Sequence, residues 1–290
     1  MKAESRSASR HQEGRALSVR YGDWRSRSLI YISPVWSREQ LKILMSRLLQ
    51  RWPVSHVSTR VAHLVGPSML HELYLRSALI TLSPMEAAQA VLGESVNYAE
   101  EYAQAQVLLA LQASGAHRRY PDYSEVEDGT AFLLYSLVRH AKPSLTIEVG
   151  VADGRSTQVI LSALDANEGG RLISVDISDE VGGSAAGHPR WSLRVRSPGR
   201  SASRQLQDLL EEVGPPDLFF HDAAHSYYDQ YADYLAAWQH MQPGSLFMSD
   251  DVDQSCAFID LVTSCRVKPV ILTERRKAAG LVLLPHEREA

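Results

Sequence analysis

From residue 145 onward, apolar and polar positions alternate between two periods. Short runs rich in β-branched and aromatic residues fall at 145–149, 171–175, 191–196, 217–222, 244–249, 267–272 and 280–284. Their length and composition predict strands. Between them, residues 155–165, 201–213, 228–241 and 253–264 place apolar positions at helical spacing. A further helix is expected over 128–140, leading into the strand at 145. Strands alternating with helices predict an α/β fold, a mostly parallel sheet with helices on both faces.

The first 119 residues follow other rules. Residues 1–16 are rich in Ser, Arg, Glu and His and lack an apolar period, which predicts disorder. Residues 27–33 read as a short strand ended by Pro34. A helix follows, opened by a capping box of Ser37 and Gln40, with Leu41, Leu44, Met45, Leu48 and Leu49 on one face. Pro53 stops it. A second helix is expected over 68–80. A third starts near Pro84 and runs, with a break at Gly93, to residue 113, where Gly115 can cap it. The chain therefore divides into a basic, partly disordered leader (1–33), a helical accessory region (34–119) and an α/β domain (120–290). Apolar helical faces outside a core pack on that core or on a second subunit. The expected roles are a lid over the substrate or homo-oligomerisation through these helices, with a dimer as the simplest form.

Composition narrows the setting. Of 290 residues, 44% are hydrophobic and 22% charged, which suits a globular α/β domain with an additional segment. Two cysteines, Cys256 and Cys265, are too few for a disulfide framework, so a reducing cytoplasm is the expected compartment. No apolar run is long enough for a membrane span, and no signal-peptide core is present. The net charge of −4 is unevenly spread. Residues 1–60 carry twelve Lys/Arg and four Asp/Glu, whereas the remainder carries 18 and 30. The basic arm reads either as a solubilising leader or as a contact for nucleic acid or an acidic partner. The acidic remainder argues against a nucleic-acid enzyme.

The candidate chemistry gathers at the ends of the expected strands. Residues 145–157, LTIEVGVADGRST, form a strand, a turn and the start of a helix. Gly150, Ala152 and Gly154 keep the turn small enough for a ligand to lie against it. Ser156 and Thr157 open the helix, whose free N–H groups favour an acceptor-rich ligand. The turn matches neither the dinucleotide fingerprint nor the phosphate loop, and an ordinary strand–helix turn is its plainest alternative. Asp176 ends the next strand, 22 residues after Gly154. There it can accept hydrogen bonds from adjacent ribose hydroxyls, or be an exposed loop aspartate. Asp222 and the pair Asp250–Asp251 end two strands expected to be neighbours. Three carboxylates there suit a hard cation such as Mg²⁺; otherwise Asp250 and Asp251 cap the following helix. His225, three residues after Asp222, is a candidate general base or a second-layer histidine. His221 should point to the opposite face. Tyr227 and Tyr228 line a substrate mouth or belong to the core.

Glu148 followed by Gly150, Ala152 and Gly154 resembles the first motif of class I S-adenosylmethionine-dependent methyltransferases, E/D-x-G-x-G-x-G, with Ala152 in place of the middle glycine. DAAHSY at 222–227 and PGSLFMSDD at 243–251 resemble the metal-dependent catechol and macrocin O-methyltransferase-like group. The similarity covers roughly residues 120–285. It implies a Rossmann-like seven-stranded sheet whose final strand inserts antiparallel, and it implies that S-adenosyl-L-methionine is the cofactor. Glu148, Gly150, Ala152, Gly154, Ser156, Thr157, Asp176 and Asp222 would line the cofactor site. Asp222, Asp250 and Asp251 would hold Mg²⁺ or another divalent cation, and His225 would be the base. Helix 128–140 would cover the cofactor. The implied activity is methyl transfer to a hydroxyl of a small molecule, a sugar or other natural product. Two other classes stay open. One is a non-catalytic S-adenosylmethionine-binding scaffold or regulator, motivated by Ala152 and the unmatched N-terminal region. The other is a nucleotide-dependent oxidoreductase, against which the missing G-x-G-x-x-G speaks.

Overall fold

The structure is a computed structural model. It describes residues 79–81, 83–93, 100–101, 103–106, 119–121, 124–223 and 226–285. Strands are β1 (Leu79–Thr81), β2 (Leu145–Val149), β3 (Arg171–Asp176), β4 (Trp191–Val195), β5 (Leu218–His221), β6 (Leu246–Ser249), β7 (Val270–Thr273) and β8 (Ala278–Leu283). Helices are α1 (Pro84–Leu92), α2 (Asp128–Ala141), α3 (Arg155–Ala166), α4 (Ala202–Val213), α5 (Tyr227–His240) and α6 (Ala257–Ser264). They build one Rossmann-like sheet in the order β1-β7-β8-β6-β5-β2-β3-β4. All neighbours run parallel except β8, which is antiparallel to β6 and β7.

The seven strands expected after residue 145 are all present, and β8 is antiparallel as the resemblance implied. The hairpin from β7 to β8 spans only residues 274–277, too short for a parallel crossover. An eighth strand was not foreseen. The expected helix over 68–80 gives way to β1 at its end; residues 68–78 lie outside those described. Leu79, Ile80 and Thr81 continue the sheet by pairing parallel with β7, from Leu79 opposite Val270 to Thr81 opposite Leu272. Apolar and β-branched residues suit that edge, and a short apolar run does not distinguish strand from helix by period alone. The third accessory helix does begin at Pro84, capped by the Ser83 hydroxyl, and stops at Leu92 where Gly93 takes φ +103°. Ala87 and Ala88 of this helix join the main core. The expected leader and the helix at 37–52 lie outside the described residues.

Strand alternation sorts the core into two layers. Leu218 and Phe220 of β5, with Leu246 and Met248 of β6, share a cluster with α1, α2 and α3. On the opposite face Phe219 stacks on Phe247 at 5.4 Å, and Tyr234 of α5 meets Phe247 edge-on at 5.3 Å. Both faces are therefore covered, and ligands of such sheets bind where strands end. No helix among the described residues is long and apolar enough to cross a membrane.

Candidate active site

The turn after β2 is built around a close backbone crossing. Gly150 has φ +93°, and a Cβ on it would lie 1.9 Å from the Asp222 carbonyl oxygen. Only glycine fits, so the turn after β2 lies against the end of β5. The Asp222 amide donates to the Val149 carbonyl at 2.7 Å. Gly154, also at φ +93°, brings the backbone against Gly182, whose Cα would stand 2.9 Å from a Cβ at 154. Between them Ala152 adopts φ +49° and accepts the Gly182 amide at 3.0 Å. The missing middle glycine thus changes the residue and keeps the left-handed turn. Alanine there costs roughly 1 kcal/mol relative to glycine's freedom.

Glu148, expected to anchor a cofactor, has no exposed surface. Its carboxylate accepts hydroxyl hydrogen bonds from Ser156 at 2.6 Å, Thr157 at 2.8 Å and Ser174 at 2.6 Å. Glu148 ties β2 to β3 and α3, so its influence on a ligand runs through the turn. Burial pushes its carboxyl up to about 7 against the pull of these three donors. Ser156 and Thr157 likewise turn their hydroxyls inward. Part of the turn and of the helix start is already occupied from within the chain. Glu125, overlooked in the sequence, accepts the Asp153 amide at 2.9 Å and the Arg155 amide at 3.2 Å. It supplies the negative group that the helix start favours. Nothing around Glu125 in sequence marks it, because its partners lie 28–30 residues away.

Asp176 stands at the end of β3, partly exposed. Oδ2 accepts the Val151 amide at 2.9 Å and Oδ1 accepts the Ser178 amide at 3.1 Å. These bonds orient the carboxylate and leave each oxygen a second lone pair. Beside it Ile177 is 82% exposed. An apolar side chain so displayed next to an oriented carboxylate suits a ligand with a flat apolar face and vicinal hydroxyls. The sequence signal was available: an isoleucine directly after the strand's last acid.

Asp222, Asp250 and Asp251 converge. Each offers an oxygen, and the three oxygens lie within 4.8 Å of one another. Asp250 and Asp251 do not cap the next helix. α6 begins at Ala257, where Ser255 accepts the first amide. Asp251 takes φ +52°, a left-handed conformation that aspartate tolerates better than most residues. Burial pushes the Asp222 carboxyl up to about 7, opposed by Lys277 and reinforced by Asp251. Asp250 is raised for the same reasons, again opposed by Lys277. Lys277 is a second residue that no motif in the sequence marks. Its Nζ lies 2.7 Å from Asp250 Oδ2 and 3.4 Å from Asp251 Oδ2. The donor set fits a hard divalent cation, since all three groups are carboxylates and Asp250 Oδ1 is buried without a hydrogen bond.

His225 lies outside the described residues. His221 points to the far face as expected, with Nε2 3.4 Å from Asp233 Oδ2, and Asp233 also pairs with Arg196 at 2.9 Å. Tyr227 donates to Asp260 at 2.9 Å and stacks on Tyr231, while Tyr228 is exposed and meets Tyr227 edge-on.

Residues 147–252 match the family model described as a methyltransferase domain. No curated protein matches the chain. Among solved structures, the chain is similar to the O-methyltransferase TomG from Streptomyces achromogenes, involved in tomaymycin synthesis and in complex with SAM. Identity is 18% over 66% of this chain and 92% of that one, with a TM-score of 0.47. It is also similar to an O-methyltransferase from Bacillus cereus in complex with SAH, at 16% identity over 72% and 97% of the two chains and a TM-score of 0.45.

Proposed function

We propose that this chain is an S-adenosylmethionine-dependent O-methyltransferase that acts on a hydroxyl of a small molecule, a sugar or other natural product, with a divalent cation such as Mg²⁺ at the acid cluster. The observation that carries the reading is the convergence of Asp222, Asp250 and Asp251 beside the Gly150 turn, within a segment that matches a methyltransferase domain. When bound, S-adenosylmethionine supplies an electrophilic methyl group, and a divalent cation lowers the pKa of the acceptor hydroxyl and orients it.

The chain's own residues divide the remaining work. Gly150 and Gly154 would let the backbone lie close to the methyl donor, and Asp176 would accept hydrogen bonds from its ribose. Ile177, exposed beside Asp176, would offer the adenine an apolar side chain. Asp222, Asp250 and Asp251 would hold the cation between the ends of β5 and β6. His225, three residues past Asp222 in sequence, takes the proton from the acceptor hydroxyl. Tyr228 stands at the start of α5, where it can contact the acceptor.

The test is methyl transfer to a panel of hydroxylated acceptors, with and without chelator. EDTA should stop the wild type and Mg²⁺ should restore it. His225→Ala should lower turnover by about 10²–10⁴-fold while leaving cofactor binding intact. Methylation at full rate after chelation would remove the metal from this account. A silent His225→Ala would pass the proton to water.

A further inference from the structure

The acid cluster already contains a cation. Lys277 closes the hairpin loop between β7 and β8, and its side chain is only 4% exposed. The loop is held in place from both ends. The Glu274 amide donates to the Lys277 carbonyl at 2.9 Å. The Glu274 carboxylate accepts the Gly129 and Thr130 amides at 2.7 and 3.0 Å, capping α2. Arg276 pairs with Glu127 at 2.9 Å. The ammonium is therefore delivered to the carboxylates by a braced turn, and a flexible surface lysine would not be so fixed.

Charge decides what it does there. Three carboxylates within 4.8 Å repel one another strongly when buried. In the ionised form that metal ligation requires, one ammonium offsets one of the three negative charges and leaves two, which one divalent ion can balance. Lys277 takes Oδ2 of Asp250 and reaches Oδ2 of Asp251, while Asp250 Oδ1 is a buried acceptor without a hydrogen bond. We infer that Lys277 is the resident counter-ion of the acid cluster, stabilising it when no divalent ion is bound and weakening the ion's binding when one is. The inference rests on the reading of the three aspartates as a metal site.

The experiment measures Mn²⁺ binding by the loss of the free-ion paramagnetic resonance signal, in wild type and in Lys277→Met, with thermal melting of both in EDTA and in Mn²⁺. Removing a positive charge beside the ion should tighten Mn²⁺ binding by about tenfold or more. Lys277→Met should also melt lower than wild type in EDTA and recover more than wild type on adding Mn²⁺. Should the variant not fold in EDTA, refolding in Mn²⁺ asks the same question: recovery supports the inference and failure to recover overturns it. Equal or weaker Mn²⁺ affinity in Lys277→Met overturns the inference and leaves the metal site standing. Absence of Mn²⁺ binding in both proteins overturns the metal site and the inference together. Binding of S-adenosylmethionine, measured separately, would still report on the methyltransferase reading.

Discussion

At the scale of single residues, the turn after β2 shows which substitutions the backbone accepts. Ala152 sits at φ +49° without a glycine's freedom. Ala152→Gly should relieve that conformation, partly offset by the greater freedom of glycine in the unfolded chain. The expected outcome is a gain of up to about 1 kcal/mol in denaturant unfolding. A loss larger than that would mean the alanine methyl makes a packing contact that matters more than the backbone. Glu148 gives a pH test. Its folded-state carboxyl is raised from 4.5 to about 7. Below pH 4.5 both folded and unfolded states hold the proton. Between there and about 7 the unfolded chain releases it first, so Glu148's contribution to stability falls as pH rises. The loss amounts to about 3 kcal/mol at most, from the size of the shift. Wild type compared with Glu148→Gln across pH 4.5 to 7 isolates it. A variant whose stability tracks wild type throughout that window would show that the three hydroxyls hold the carboxylate ionised.

At the scale of elements, helix starts are completed by acids from distant parts of the chain. Glu125 accepts the first amide of α3, and Glu274 accepts the Gly129 and Thr130 amides at the start of α2. Such caps are invisible to local reading, which looks for a capping residue next to the helix. The strands were legible because their apolar runs are short and interrupted, and Asp176, Asp222, Asp250 and Asp251 were legible because they end those runs. β1 was not, since Leu79, Ile80 and Thr81 fit a helix as well as a strand until β7 offers an edge. Gly280, expected to open the last strand, lies in the middle of β8 and faces Phe258 of α6. A Cβ there would stand 2.4 Å from the ring. Gly280→Ala should therefore push α6 from the sheet and cost about 1–3 kcal/mol, the range for overpacking a core. Thermal melting checks it, and an unchanged midpoint would mean that the Phe258 ring moves aside at no cost.

At the scale of the whole molecule, the sheet brings four parts of the sequence to one edge. These are the turn after β2, Asp176 after β3, Asp222 after β5 and Asp250–Asp251 after β6. Alternating strand and helix periods made that convergence foreseeable, because parallel strands end on the same side. Lys277 was not foreseeable even with β8 expected antiparallel, because only the fold of the short loop at 274–277 brings its ammonium to the acids. The carboxyl ends of these strands are expected to bind S-adenosylmethionine. Calorimetric titration of S-adenosylmethionine into the purified chain, alongside Gly150→Ala, tests this binding most directly. The expected result is saturable binding to wild type and its loss in Gly150→Ala, whose new methyl group has no room beside the Asp222 carbonyl. No heat above buffer with folded wild-type protein would contradict the account.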